Sequence, residues 1–160
     1  MKIVLAIVVV TGIAIGLAVP VPKGSAPAAV AATAAPPEDK PVDTVLERTG
    51  RGHFLAVADV NGEPIRFVVD TGADTVALTM EDARRAHIAF DPNEFEVVGR
   101  GAGGDVRGQE VRIDEIVLDG KRATDVSGVV LEGADVSLLG HSYLRHVGDV
   151  QIKGDQMILR

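Results

Sequence analysis

A carboxylate, a hydroxyl and a glycine stand together within the run Phe67-Val68-Val69-Asp70-Thr71-Gly72-Ala73-Asp74-Thr75-Val76. The triplet Asp-Thr-Gly alone arises by chance in roughly 3% of chains this long, and its ordinary use is an Asx-type turn that closes a strand. A turn aspartate is normally wet. Asp70, by contrast, follows apolar and β-branched residues and precedes Ala73, so its carboxyl should sit partly buried. Burial penalises the charged form, and a carboxylate placed there needs a chemical reason. Two carboxyls facing each other supply one. Like charges about 3 Å apart cannot both ionise, so the pair shares one proton. One carboxyl then takes a proton from a water that attacks a peptide carbonyl, while the other protonates the carbonyl oxygen. That chemistry requires neither a metal nor a cofactor.

Other groupings are weaker. Gly99-Arg100-Gly101-Ala102-Gly103-Gly104 matches the dinucleotide fingerprint Gly-x-Gly-x-x-Gly, and Asp119 follows at a suitable distance. The segment from Asp105 to Leu118 nevertheless lacks a helical apolar stripe, so no helix N-terminus is expected to receive phosphates. Gly140-His141-Ser142-Tyr143-Leu144 resembles a serine nucleophile elbow, but Leu144 replaces the final glycine and only His146 follows as a base. A serine hydrolase using Ser142 is the distant enzyme alternative. The four histidines, His53, His87, His141 and His146, lack a ligand spacing, and metal binding is not expected.

The elements that position Asp70 are legible in outline. Apolar runs His53 to Val60 and Pro64 to Val69 flank Asn61-Gly62, a strong two-residue hairpin signal. Val76 to Leu78 reads as a strand, and Thr79 can cap a helix from Met80 to His87 with Glu81 and Asp82 near its positive end. Phe95 to Val98 and Val111 to Leu118 read as strands separated by a glycine-rich stretch, Gly99 to Gly108, suited to a long hairpin. Val126 to Leu131 and Val136 to Leu139 continue the pattern, Ser142 to Val147 suggests a helical turn, and Val150 to Ile152 with Met157 to Leu159 suggest a terminal hairpin. Many short strands with one or two short helices predict a mostly β, small closed barrel.

Ahead of this domain, Lys2 precedes an uncharged apolar run, residues 3–19, read as an export signal or membrane anchor. Residues 20–41 are rich in Pro and Ala and form a linker; residues 42–160 form the folded domain. The implied location is exported, either periplasmic or anchored in the inner membrane and facing the periplasm. A net charge of −7 without a basic cluster argues against nucleic acid as a partner. The absence of Cys excludes disulfides and a thiol nucleophile.

Val69-Asp70-Thr71-Gly72-Ala73-Asp74 resembles the active-site signature of retropepsins and of their exported bacterial relatives. Leu138-Leu139-Gly140, placed before a short helix, resembles the second motif of that family. The resemblance covers roughly Phe54 to Arg160. It implies a retropepsin-type barrel, a polypeptide substrate and a homodimer, because this chain carries one such motif and Asp125-Val126-Ser127-Gly128 lacks the spacing for a second. It also implies Asp70 as catalytic carboxylate, Thr71 bonding across the dimer axis and Gly72 supporting the carboxylate through its amide. Ala73 and Asp74 would contact substrate, as would the flap residues Gly101, Ala102, Gly103 and Gly104. Val68, Val76, Val97, Val98, Leu138 and Leu139 are expected in pocket walls. His141 stands where viral members often carry Arg, which leaves the pairing of Asp74 open. The alternative outside enzymology is a catalytically silent module that keeps this fold to grip peptides.

Overall fold

The computed structural model describes residues 40–101 and 104–160. The apolar segment 3–19, nearly all of the linker, and Ala102 and Gly103 lie outside the described residues. Among the described residues no helix is long and apolar enough to cross a membrane.

Strand β1 spans Thr44–Glu47, β2 Leu55–Val60 and β3 Glu63–Val69. Asn61 and Gly62 connect β2 to β3 with φ of 52° and 87°, the doubly left-handed turn whose twist suits a hairpin. Period-two alternation then sends Ala56, Ala58 and Val60 inward from one strand and Ile65, Phe67 and Val69 from the other. β4 (Val76–Thr79) is buried along its whole length. It runs into helix α1 (Met80–Arg85), where Thr79 Oγ1 accepts the Asp82 amide at 3.0 Å as an N-cap. The helix stops sooner than the sequence suggests, because His87 turns to a φ of 57° and leaves the helical path.

A 3-10 turn at Pro92–Glu94 leads to β5 (Glu96–Gly101), followed by β6 (Gly104–Leu118) and β7 (Lys121–Leu131). β8 (Ser137–Leu139), helix α2 (His141–Leu144), β9 (Val150–Lys153) and β10 (Gln156–Leu159) complete the chain. The main sheet has the order β2-β3-β8-β4-β7-β6-β5. Pairing of β2 with β6 at Asp59–Val117 and Val60–Ile116 joins the sheet to itself, so six strands close a barrel and β5 lies outside it. Phe67, Ile65, Leu78, Ile113, Ile116, Leu139 and Tyr143 fill the interior. The expected mostly β barrel with two short helices is therefore the observed architecture.

Two differences from the sequence reading have physical causes. The glycine-rich stretch is strand rather than loop over most of its length, since Gly101 pairs with Gly104 and the ladder continues through Gly108. A Cβ on Gly108 would lie 2.4 Å from the Val130 carbonyl oxygen, so glycine there permits close strand packing. β1 carries no signal of its own in the sequence. It is four residues long and is held by β10, with which it forms a second sheet ordered β1-β10-β9, and by the Thr44 hydroxyl donating to Asp119.

Candidate active site

Asp70 emerges where three strands meet. β3 and β8 run parallel with Val69 beside Leu139, and the Asp70 amide donates to the Leu139 carbonyl at 3.1 Å. On the other flank the Val69 amide donates to the Phe54 carbonyl at 2.9 Å. The backbone bearing the carboxylate is thus fixed from both sides. Beyond it the chain turns tightly, with the Ala73 amide on the Asp70 carbonyl at 3.3 Å and the Gly72 amide on Asp70 Oδ1 at 2.8 Å. A Cβ on residue 72 would approach Asp70 Oδ1 to 3.3 Å, so glycine keeps this approach open. Asp70 is half-buried, whereas Thr71, Gly72 and Asp74 are exposed.

The Leu138-Leu139-Gly140 segment holds this loop from below. His141 and Ser142 donate their amides to the Ala73 and Asp74 carbonyls at 2.8 and 3.0 Å. Gly140 is packed so closely that a Cβ would sit 2.2 Å from the Thr75 carbonyl oxygen and 2.8 Å from that of Ala73. Ser142, 3% exposed, accepts the Val76 amide at 2.8 Å and donates to the Ser127 carbonyl at 2.6 Å. Its hydroxyl is occupied and buried, which removes it as a nucleophile. His53, His87, His141 and His146 are all exposed, and among the described residues no group of three His, Asp or Glu side chains comes together as a metal set. The dinucleotide reading also fails on geometry, since Gly104 opens strand β6 instead of a helix.

A groove of about 700 Å³ opens beside Asp70. Its apolar wall is Leu55, Val68, Val69, Val136 and Leu138, and Arg51, His53 and Asp135 supply polar groups. Val68 and Leu138 therefore line a pocket as expected, but Val76 and Leu139 do not. Both are fully buried in the barrel core. Val98 lines a separate cavity with Asp74, while Val97 lies exposed on the β5–β6 ribbon. Gly101 and Gly104 face each other at the end of that ribbon. Leu55 and Val136 escaped the sequence reading. Leu55 opens β2 and Val136 immediately precedes β8; both are exposed, 39% and 42%, and line the groove beside Asp70, a placement that only the fold makes visible.

The closed barrel with an Asp-Thr-Gly loop at a strand end, backed by an apolar-apolar-Gly segment, defines the class of acid proteases built from one lobe per chain. Residues 56–146 match the family model described as gag-polyprotein putative aspartyl protease. The chain belongs to this retropepsin-like aspartic protease family. An uncharacterized protein of Rickettsia prowazekii (strain Madrid E) is 35% identical over 120 residues, covering 73% of this chain and 51% of the relative. An uncharacterized Sinorhizobium protein, described by its position in the cobV 5′ region, is 36% identical over 126 residues, covering 74% and 52% respectively. The chain thus spans about half the length of the curated relatives it matches. Among solved structures, a retropepsin-like aspartic protease from Rickettsia conorii superimposes with a TM-score of 0.61 at 33% identity, over 74% of this chain and 89% of that one. EIAV protease complexed with the inhibitor HBY-793 matches with a TM-score of 0.52 at 23% identity, over 62% of this chain and 91% of that one, a likeness of fold.

Proposed function

We propose that the chain is an aspartic endopeptidase whose active site forms when two copies meet, each contributing one Asp70. The observation that carries this reading is Asp70 itself: a half-buried carboxylate on a rigid strand end, held by the Gly72 amide and opening onto an apolar groove. Thr71 and Gly72 beside it are exposed in the single chain and so are available to a second copy. In the pair, one ionised Asp70 removes a proton from water as its oxygen bonds to the scissile carbonyl carbon, and the protonated Asp70 of the second copy gives its proton to the carbonyl oxygen. Collapse of the tetrahedral intermediate breaks the carbon–nitrogen bond, and the amine leaves with a proton returned by the pair. The substrate is an extended polypeptide with apolar residues near the cut, consistent with Leu55, Val68, Val136 and Leu138.

The apolar segment 3–19 and the Pro/Ala-rich linker support an exported domain, periplasmic or tethered to the inner membrane. Peptide cleavage between pH 4 and 7 by the wild type and by Asp70→Asn tests the mechanism. Loss of cleavage in Asp70→Asn is expected. Equal activity in the two proteins would overturn the mechanism, and binding without cleavage by the wild type would leave a peptide-binding module instead.

A further inference from the structure

Strand β8 is only three residues long, and β4 meets it at a single registered pair, Ala77 with Leu138. Ser137, at its start, is fully buried. Its Oγ accepts the Thr79 amide at 3.1 Å, so a side chain supplies on the β4 flank a bond that the short ladder lacks. The same hydroxyl donates to Asp82 Oδ2 at 2.6 Å. Asp82 lies in the first turn of α1, its side chain 17% exposed, with its own amide on Thr79 Oγ1 and Arg85 Nη1 3.5 Å from Oδ1. Thr79, Asp82 and Ser137 thus close a ring of hydrogen bonds between the end of β4, the start of α1 and the start of β8.

Alternation gives this ring a reach beyond the core. Ser137 points inward, and Val136 and Leu138 on either side of it point outward into the groove beside Asp70. Val136 lies just outside the strand, so its place depends on Ser137. The other end of the segment is fastened separately, by the Ser142 hydroxyl and by the His141 and Ser142 amides on the Asp70 loop. Apolar packing is non-directional, whereas a hydroxyl on a carboxylate makes a short bond of fixed direction. Keeping a mostly buried carboxylate costs desolvation that an apolar pair in the same space would avoid.

We infer that Asp82, acting through Ser137, is a positioning residue for the substrate groove. The pair sets how far Val136 and Leu138 project, and hence the affinity for an apolar substrate side chain, without touching the substrate. That role rests on the peptidase reading, which makes the groove beside Asp70 the peptide site. Asp70 itself is held by other bonds, from the Val69 amide to Phe54 and from the Gly72 amide to its own Oδ1. Loss of the pair should therefore weaken binding and spare the chemical step.

Full-length wild type, Asp82→Ala, Asp82→Asn and Arg85→Ala are compared for kcat and KM on a peptide cleaved between apolar residues. Asp82→Ala should raise KM about five- to tenfold, near the effect of one lost methylene contact in an apolar pocket, with kcat within about twofold. Asp82→Asn keeps an oxygen that accepts the Ser137 hydroxyl and should stay within about twofold of the wild type in both constants. Arg85→Ala, which removes only the ion pairs to Glu81 and Asp82, should do the same. The fold-change in KM should reappear in the Kd of labelled peptide when Asp82→Ala is added to Asp70→Asn, where cleavage plays no part. Should Asp82→Ala fold poorly, the double variant Asp82→Ala/Ser137→Ala, which removes both members of the pair, gives the same comparison. A merely structural role lowers the folded fraction, read as a fall in kcat at unchanged KM and Kd. That result overturns the positioning role, as does an Asp82→Asn variant as impaired as Asp82→Ala. If the wild type binds peptide without cleaving it, the peptidase reading falls and the Kd comparison alone decides the positioning role; peptide bound by none of these proteins overturns both.

Discussion

The buried Ser142 hydroxyl accepts the Val76 amide at 2.8 Å, joining the segment after Gly140 to the strand that follows the Asp70 loop. The same oxygen donates to the Ser127 carbonyl at 2.6 Å, so one side chain fastens three pieces of chain beneath the site. Ser142→Ala leaves the buried Val76 amide and the partly buried Ser127 carbonyl without their partner, at a cost of about 1–3 kcal/mol. Denaturant unfolding should show this loss, and proteolytic activity should follow the folded fraction. Abolished activity at unchanged stability would restore Ser142 as a nucleophile.

Gly140 has a stricter requirement, because backbone rather than a flexible side chain lies against it. A methyl group there would meet the Thr75 carbonyl at 2.2 Å, and neither partner can move without breaking the amide contacts to Ala73 and Asp74. Gly140→Ala should cost about 3 kcal/mol or more, at the high end for overpacking. Gly133→Ala provides the contrast. Nothing lies within 4 Å of that position, but its φ of +67° still penalises a side chain by about 1–2 kcal/mol. Similar unfolding midpoints for the two variants would refute the crowding argument.

The features legible in the sequence are local. Asn61-Gly62, the Thr79 cap and the apolar approach to Asp70 each depend on neighbouring residues, and each is present as an element or turn. What escaped depends on distant partners. The role of Ser142 needs Val76, sixty-six positions away, and so its hydroxyl resembled a nucleophile in the sequence. β1 is too short to show a period and exists through β10 at the opposite end of the chain. Val76 and Leu139 looked like pocket walls because apolar residues flank the motifs, but strand alternation and barrel closure turn both into the core.

If the site requires two copies, activity depends on concentration in a way a one-chain enzyme does not show. Activity per chain should fall on dilution through the dimer dissociation constant and recover on reconcentration. Sedimentation over the same range should show monomer replacing dimer. Mixing wild type with excess Asp70→Asn should lower activity further, because mixed pairs lack one carboxylate. Specific activity independent of dilution, with a monomer in sedimentation, would refute the shared site.

Tyr143 links the barrel core to alkaline stability. Its ring is fully buried and its hydroxyl donates to the Lys121 carbonyl at 2.8 Å. Burial, reinforced by the nearby Asp119 charge, pushes its ionisation far above the ordinary value of 10.0. Below pH 10 both folded and unfolded chains hold the proton, so its contribution is complete. Above pH 10 the unfolded chain releases the proton while the folded chain keeps it, and stability falls by up to about 1.4 kcal/mol per pH unit. Lys121 acts in the opposite sense. Burial lowers its ionisation below 10.5 against the pull of Asp119 and Asp43, so between its folded value and 10.5 its contribution rises with pH. Comparing wild type with Tyr143→Phe isolates the first effect. The variant should be less stable at pH 7 by about 1–2 kcal/mol, for the unpaired Lys121 carbonyl. That gap should narrow steadily between pH 10 and 11, as urea unfolding at each pH would record. A gap constant across this window would mean that Tyr143 ionises equally in both states.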